Sequence, residues 1–313
     1  MIQLGFSGRI LGEPRLRAHD SQRLASRPHL SVSLLLLRDV LAYLIRHAVR
    51  LYRLPAGLAP YLTYGQDGRL LRQIEECAGE LAQLGAEAVA AGLRLTLHLD
   101  SSVVLSTPDD ELAARSCREI EAQTALLRAF GSPEPVVVVH PGGLYDDRAA
   151  AGERCARRLL ALSQQARDTL ALEHDGRLWS LGELFAIHSR TGVRLVFDHL
   201  HHQLYNPARL PAAAALRLAL ATWPPGQTPK IHFASPRTEL RIGVTGAGGT
   251  RLDEPGWHEH SDYAHPFELI NLLRQPAGRP YAVMLEAKAG DLALLRARED
   301  IARFAPELAG RIA

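Results

Sequence analysis

The feature that most constrains this chain is the alternation of short β-branched or leucine-rich runs with longer Ala/Leu/Arg/Glu segments of helical spacing. Eight runs read as strands: Ile2–Phe6, Arg50–Leu54, Leu93–His98, Pro135–His140, Thr169–Glu173, Val193–Asp198, Lys230–Ala234 and Ala282–Glu286. Helices are predicted near 33–48, 69–91, 109–130, 149–167, 181–191, 209–222, 264–273 and 290–304. A strand followed by a helix feeds a parallel neighbour, so eight such units in 313 residues specify an α/β protein, a single (β/α)8 TIM barrel. A doubly wound open sheet would use fewer strands. No linker divides the chain, and we expect one domain over residues 1–313. Gly243–Gly249 reads as the tip of a loop inserted near residues 238–258. No strand feeds it and no Gly-Lys-Ser/Thr ending follows, so a phosphate cradle is not expected.

Composition narrows the class. A hydrophobic share of 47% with 22% charged residues excludes a disordered chain. No apolar run approaches the length of a membrane span, and the stretch from Ser31 to Ile45 is broken by Arg38 and Asp39. No charged-then-apolar leader precedes it, so a cytoplasmic address is expected. Cys77, Cys117 and Cys155 are odd in number and widely spaced, which implies neither a disulfide framework nor a zinc pair. A net charge of +2 decides nothing about a nucleic-acid partner.

Chemistry collects at the strand ends. His98 follows LRLTL, His140 follows VVVV, Glu173 closes TLALE and Asp198 follows RLVF; His201 lies three residues on, His232 sits inside KIHF and Glu286 ends AVMLE. A barrel builds its active site at the carboxyl ends of its strands, so these groups converge on one mouth. Four imidazoles and three carboxylates exceed the shell of one metal ion, which implies two or three divalent cations. Mixed nitrogen and oxygen donors without cysteine suit Mn, Zn or Fe. Such sites hydrolyse phosphodiesters by activating water and neutralising charge, and they also serve aldose isomerisation. Ligand composition leaves both open.

Of 36 basic side chains only two are lysines, Lys230 and Lys288. Each stands two residues from a candidate ligand, His232 or Glu286, at an inward-facing position. A buried lysine can lose its proton and act as nucleophile or base, or become a carbamylated, carboxylate-like ligand, whereas arginine stays charged. Lys288 could instead meet a phosphate as a compact charge.

The strings RLYRL, HLDSSVVLSTP, VVVVHPGGLYDD, LALEHDGRLWSLGELF, LVFDHLHHQLYN, PKIHFASPRTELR, HSDY and VMLEAKAGDLALL resemble the bacterial UV damage endonucleases in order and spacing, from about residue 40 onward. That resemblance implies a TIM barrel related to the endonuclease IV group. It also implies DNA incision on the 5′ side of photoproducts, with divalent ions, commonly manganese, in the site. It places the seven strand-end residues on family metal ligands, Lys230 on a lysine used in modified form, and His260 of HSDY near the scissile phosphate as a catalytic candidate. DNA contacts would come from Arg53, Arg237 and Arg241 on the backbone and from Tyr145 on a base; His199, His202 and His258 are read as supporting or surface groups. The partner implied is damaged duplex DNA, bound by a monomer.

Three departures stand out. Tyr64 falls near a further family ligand histidine and is a poor replacement at neutral pH. Ser101 and Ser102 stand where larger residues wedge the lesion out of the stack, and small hydroxyls cannot fill that gap. The segment after the first strand lacks an asparagine that some members carry. These changes keep a second reading open, a small-molecule metalloenzyme such as a sugar isomerase or biosynthetic hydrolase on the same barrel.

Overall fold

Four consecutive valines, Val136–Val139, leave no polar face to present to water, and they form a strand buried on both sides. The computed structural model describes residues 1–20, 29–59, 69–145, 147–244, 246 and 248–313. Its elements are β1 (Gln3–Ser7), α1 (Leu30–Arg46), β2 (Leu51–Arg53), α2 (Arg69–Glu76), α3 (Ala78–Ala90), β3 (Arg94–His98), α4 (Asp110–Ala129), β4 (Val136–Val139), α5 (Arg148–Ala161), α6 (Gln164–Thr169), β5 (Leu170–Glu173), α7 (Leu181–Thr191), β6 (Arg194–Val196), α8 (His199–Leu204), α9 (Ala212–Ala221), β7 (Lys230–Phe233), β8 (Arg241–Val244), β9 (Thr250–Asp253), α10 (Pro266–Leu273), β10 (Ala282–Leu285), α11 (Asp291–Phe304) and α12 (Pro306–Ala309).

Strands β6-β5-β4-β3-β2-β1-β10-β7 lie side by side, every pair parallel. The seam between β6 and β7 is joined by a parallel bridge between Asp198 and His232, where the His232 N–H donates to the Phe197 carbonyl at 2.9 Å. The result is the expected TIM barrel, nearly closed. Alternation along each strand sorts the core into two layers. Leu95, Leu97, Val137, Val139, Leu172 and Phe233 face the helices, while Leu51, Val136, Val138, Ala171, Val196, Ala282 and Met284 fill the barrel interior. Gly85 lets α3 close on the end of α4, since a Cβ there would stand 1.6 Å from the Phe130 carbonyl oxygen.

Local signals set the boundaries. Asp109 caps α4 by accepting the N–H groups of Glu111 and Leu112, and Ser180 with Glu183 forms a capping box on α7. The helix expected over 69–91 is two, α2 and α3, meeting at Cys77. The helix expected over 149–167 is also two: Leu162 turns extended, and the Ser163 hydroxyl accepts the Ala166 N–H to start α6. The glycine-rich insertion departs further from expectation, because a strand does feed it. β8 and β9 pair antiparallel, Arg241 opposite Asp253 and Ile242 opposite Leu252. Four-residue strands of mixed polarity carry too little alternation to be read from sequence. Among the described residues no helix is long and apolar enough to cross a membrane.

Candidate metal centre

Parity along the strands builds the site. In the inward register, β3 runs Arg94, Thr96, His98; β5 ends on Ala171, Glu173; β7 carries Lys230, His232; and the residues just past β4, β6 and β10 in that register are His140, Asp198 and Glu286. Six of the seven predicted ligands therefore stand at one mouth, and His201 on α8 joins them beside Glu173 and Asp198. Glu173, Asp198 and His232 are fully buried there.

Glu173 is the hub. Its Oε2 lies 2.7 Å from His98 Nε2 and 3.7 Å from His140 Nε2, while its Oε1 lies 2.8 Å from His232 Nδ1 and 3.5 Å from His201 Nδ1. Glu286 Oε1 approaches His232 Nδ1 at 3.1 Å, and Asp198 Oδ1 approaches His201 Nδ1 at 3.6 Å. Two groups can each hold a cation, His98–Glu173–His232–Glu286 and Glu173–Asp198–His201, with donor atoms within 4.8 Å of one another in each. Their shared member is Glu173, whose carboxylate would belong to both sites.

The imidazoles are oriented by backbone carbonyls. The Nδ1 atoms of His98, His140 and His201 lie 2.8, 3.0 and 2.9 Å from the carbonyls of Leu99, Glu173 and His174. In a neutral ring a proton held at Nδ1 leaves the Nε2 lone pair free, the usual outer support of a metal-binding histidine. Asp198 divides its oxygens: Oδ1 caps α8 by accepting the His201 N–H at 2.6 Å, while buried Oδ2 accepts no hydrogen bond. Glu173 Oε1 is likewise buried without a well-aligned donor. Orphaned carboxylate oxygens set among imidazoles fit divalent cations.

Electrostatics agree. Burial works against charge on Glu173, but His232 and His140 hold its carboxyl well below the ordinary range. Burial also opposes charge on Glu286, and the Arg53 guanidinium together with His232 and His98 outweighs it. Asp198 is raised by burial, and His232 is pushed down to about 3 by the same cause. His201 is the exception: burial would lower it, yet Asp198, Glu173 and Glu286 push it up to about 10. Lys230 is fully buried beneath the ligands, donates to Thr96 Oγ1 at 3.3 Å, and is held well below its usual value by burial and by Arg53.

The remaining candidates scatter. Arg53 turns inward, donating to Glu286 and, at 3.2 Å, to His232 Nε2, so it braces two ligands instead of reaching outward. Arg237 is 4% exposed and spent on Glu259 at 2.9 Å and the carbonyls of Glu239 and Glu254 at 2.8 and 2.6 Å. It clamps the base of the β8–β9 hairpin, which does not fit the expected backbone contact. Arg241 bonds Glu239 and Asp262. His260 Nδ1 stands 3.8 Å from Glu286 Oε2, on the rim. Ser101 and Ser102 are exposed in a turn after β3, with the Ser102 N–H on Asp100 Oδ1, and Tyr145 is exposed after β4 beneath the Arg154 guanidinium. Lys288 is not inward; it reaches Glu259 at 3.4 Å on the surface. His202 bonds the Leu210 carbonyl, His199 stacks on Phe233 and His258 is exposed. Tyr64 lies outside the described residues. Sequence reasoning missed His174, fully buried beside Glu173, because alternation puts it on the face opposite Glu173, away from the mouth.

Comparison with known proteins places this geometry. A UV DNA damage endonuclease of Bacillus velezensis is 25% identical over 277 residues, covering 86% of this chain and 81% of that protein. The crystal structure of SacUVDE superposes with a TM-score of 0.82 at 20% identity, covering 97% of this chain and 99% of that one. Endonuclease IV from Thermus thermophilus gives a TM-score of 0.59 at 15% identity over 96% of this chain and 99% of that one, a likeness of fold. The family model of the UV-endonuclease UvdE matches residues 20–307, and the chain belongs to that family.

Proposed function

We propose that this protein is a metal-dependent DNA-repair endonuclease that hydrolyses the phosphodiester 5′ to a damaged nucleotide in duplex DNA. The observation that carries the reading is Glu173, shared by two donor groups at the mouth of a UvdE-family barrel. His98, Glu173, His232 and Glu286 hold one cation, Glu173, Asp198 and His201 a second, and His140 borders both through Glu173. The donor set favours manganese, with zinc or iron as substitutes. When bound, such ions supply Lewis acidity and neutralise charge on the attacking and leaving oxygens.

The chain's own groups do the rest. Arg53 fixes Glu286 and His232, keeping their donor atoms aimed into the centre. We assign His260, beside Glu286, to the phosphate, and the exposed Ser101, Ser102 and Tyr145 to surface contacts with DNA. Lys230 is an amine whose charge is opposed by burial and by Arg53; a neutral amine attacks carbon dioxide with loss of a proton to give a carbamate, and we assign the modified lysine there. The enzyme acts as one domain, a monomer in the cytoplasm.

The test is nicking of irradiated and undamaged plasmid with MnCl2 and with EDTA. Nicking confined to irradiated DNA with metal supports the reading. Equal inertness on both, with metal bound, overturns it.

A further inference from the structure

We propose that His174 is a positioning residue that holds one cation position selectively, a role resting on the two-cation reading above. Its Nε2 lies 3.0 Å from the Asp198 backbone nitrogen and accepts its N–H, and its carbonyl, 2.9 Å from His201 Nδ1, accepts that proton. Its chain neighbour is Glu173. One residue thus touches all three members of the Glu173–Asp198–His201 group through a ring nitrogen, a carbonyl and a peptide bond. These hydrogen bonds run to Asp198 and His201, and not to His98, His232 or Glu286, the members special to the other group.

The chemistry dictates the tautomer. Nε2 faces a peptide N–H, which only donates, so the His174 proton resides on Nδ1. That nitrogen is buried without a protein partner, and the ring is located by packing, with centroids 5.9 Å from Phe197 and 6.0 Å from His201. The bond to Asp198 matters because Asp198 also caps α8: the peptide that fixes its backbone and the oxygen that starts the helix together determine where orphan Oδ2 points. Removing the Nε2 acceptor frees a buried N–H to seek another partner, and Asp198 turns with it. Gln reaches as far as Nε2 and offers an oxygen acceptor, whereas Leu offers none.

Equilibrium Mn²⁺ titration of the whole protein separates the cases. H174L is expected to lose about 10–100-fold in affinity at one Mn²⁺ site with the other unchanged, and H174Q to recover most of that loss. H174L binding both ions as wild type overturns the proposal, as does equal loss at both. A wild-type protein that binds no Mn²⁺ removes the metal reading instead. Two-bond ¹H–¹⁵N spectra of wild-type histidines read the bond without any variant: a proton on His174 Nδ1 is expected, and a proton on Nε2 overturns the role even where H174L fails to fold.

Discussion

Asp198 and His232 form the parallel bridge that joins β6 to β7, so two metal-ligand candidates also close the barrel. The backbone that closes the barrel thus also carries two of the donors. In the cation-free protein the mouth gathers Glu173, Asp198 and Glu286, a concentration of buried carboxylates that Arg53 and the imidazoles offset.

Cation binding should therefore stabilise the fold. At a hundredfold excess over Kd, one bound ion contributes about 2.7 kcal/mol, roughly 5 °C in Tm for a chain of this size. Calorimetry with Mn²⁺ and with EDTA checks this, and an unchanged Tm counts against a site at the seam.

Glu173 and Asp198 should differ in reach. Because Glu173 belongs to both donor groups and Asp198 to one, E173A is expected to bind neither ion tightly, while D198A retains one. Elemental analysis after dialysis reads the count, and equal loss in both variants contradicts the shared-carboxylate geometry.

Arg53 should act on stability as much as on catalysis. It and Glu286 form an ion pair with side chains 16% and 9% exposed, and removing one member of such a pair costs about 3–5 kcal/mol. Glu286 is held below its ordinary range, so the stability it contributes is present above about pH 4.5 and fades as pH falls toward its folded value. R53M is accordingly expected to be destabilised most near neutral pH, with a shrinking penalty in acid, and bound Mn²⁺ should offset part of it. Urea melts across pH measure this.

His201 sets the pH dependence of metal binding. Its imidazole is raised to about 10, so a cation taking its lone pair displaces a proton. Mn²⁺ affinity at that site should climb about tenfold per pH unit between roughly 7 and 9. In the cation-free protein the sign reverses: stability from protonated His201 is complete below the unfolded value of about 6.5 and is lost as pH rises through about 10. Isothermal titration in buffers of different ionisation enthalpy counts the released proton.

Much of this site was legible in the sequence because a strand has a period of two. Arg94, Thr96 and His98 share a parity, and so do Lys230 and His232, so one strand end predicts which way its predecessors face. The same logic misplaced Lys288, because β10 stops at Leu285 and the chain turns before position 288. Arg237 was illegible for a different reason: its acceptors include Glu259, 22 residues away across a hairpin whose strands carry no clear alternation. His174 has the parity opposite to Glu173, so alternation turns it away from the mouth, and the packing of Phe197 and α8 buries its polar ring.

The most direct measurement is incision of an end-labelled duplex carrying a single photoproduct, comparing Mn²⁺-loaded wild type with E173Q and mapping the cut. Wild type should cut immediately 5′ to the lesion and leave a 3′-hydroxyl, while E173Q should bind the duplex and cut at least about a thousandfold more slowly, as befits loss of both ion sites. Incision by E173Q at the wild-type rate, or an inert wild type with its ions in place, would contradict the assignment of this barrel mouth as the cutting site.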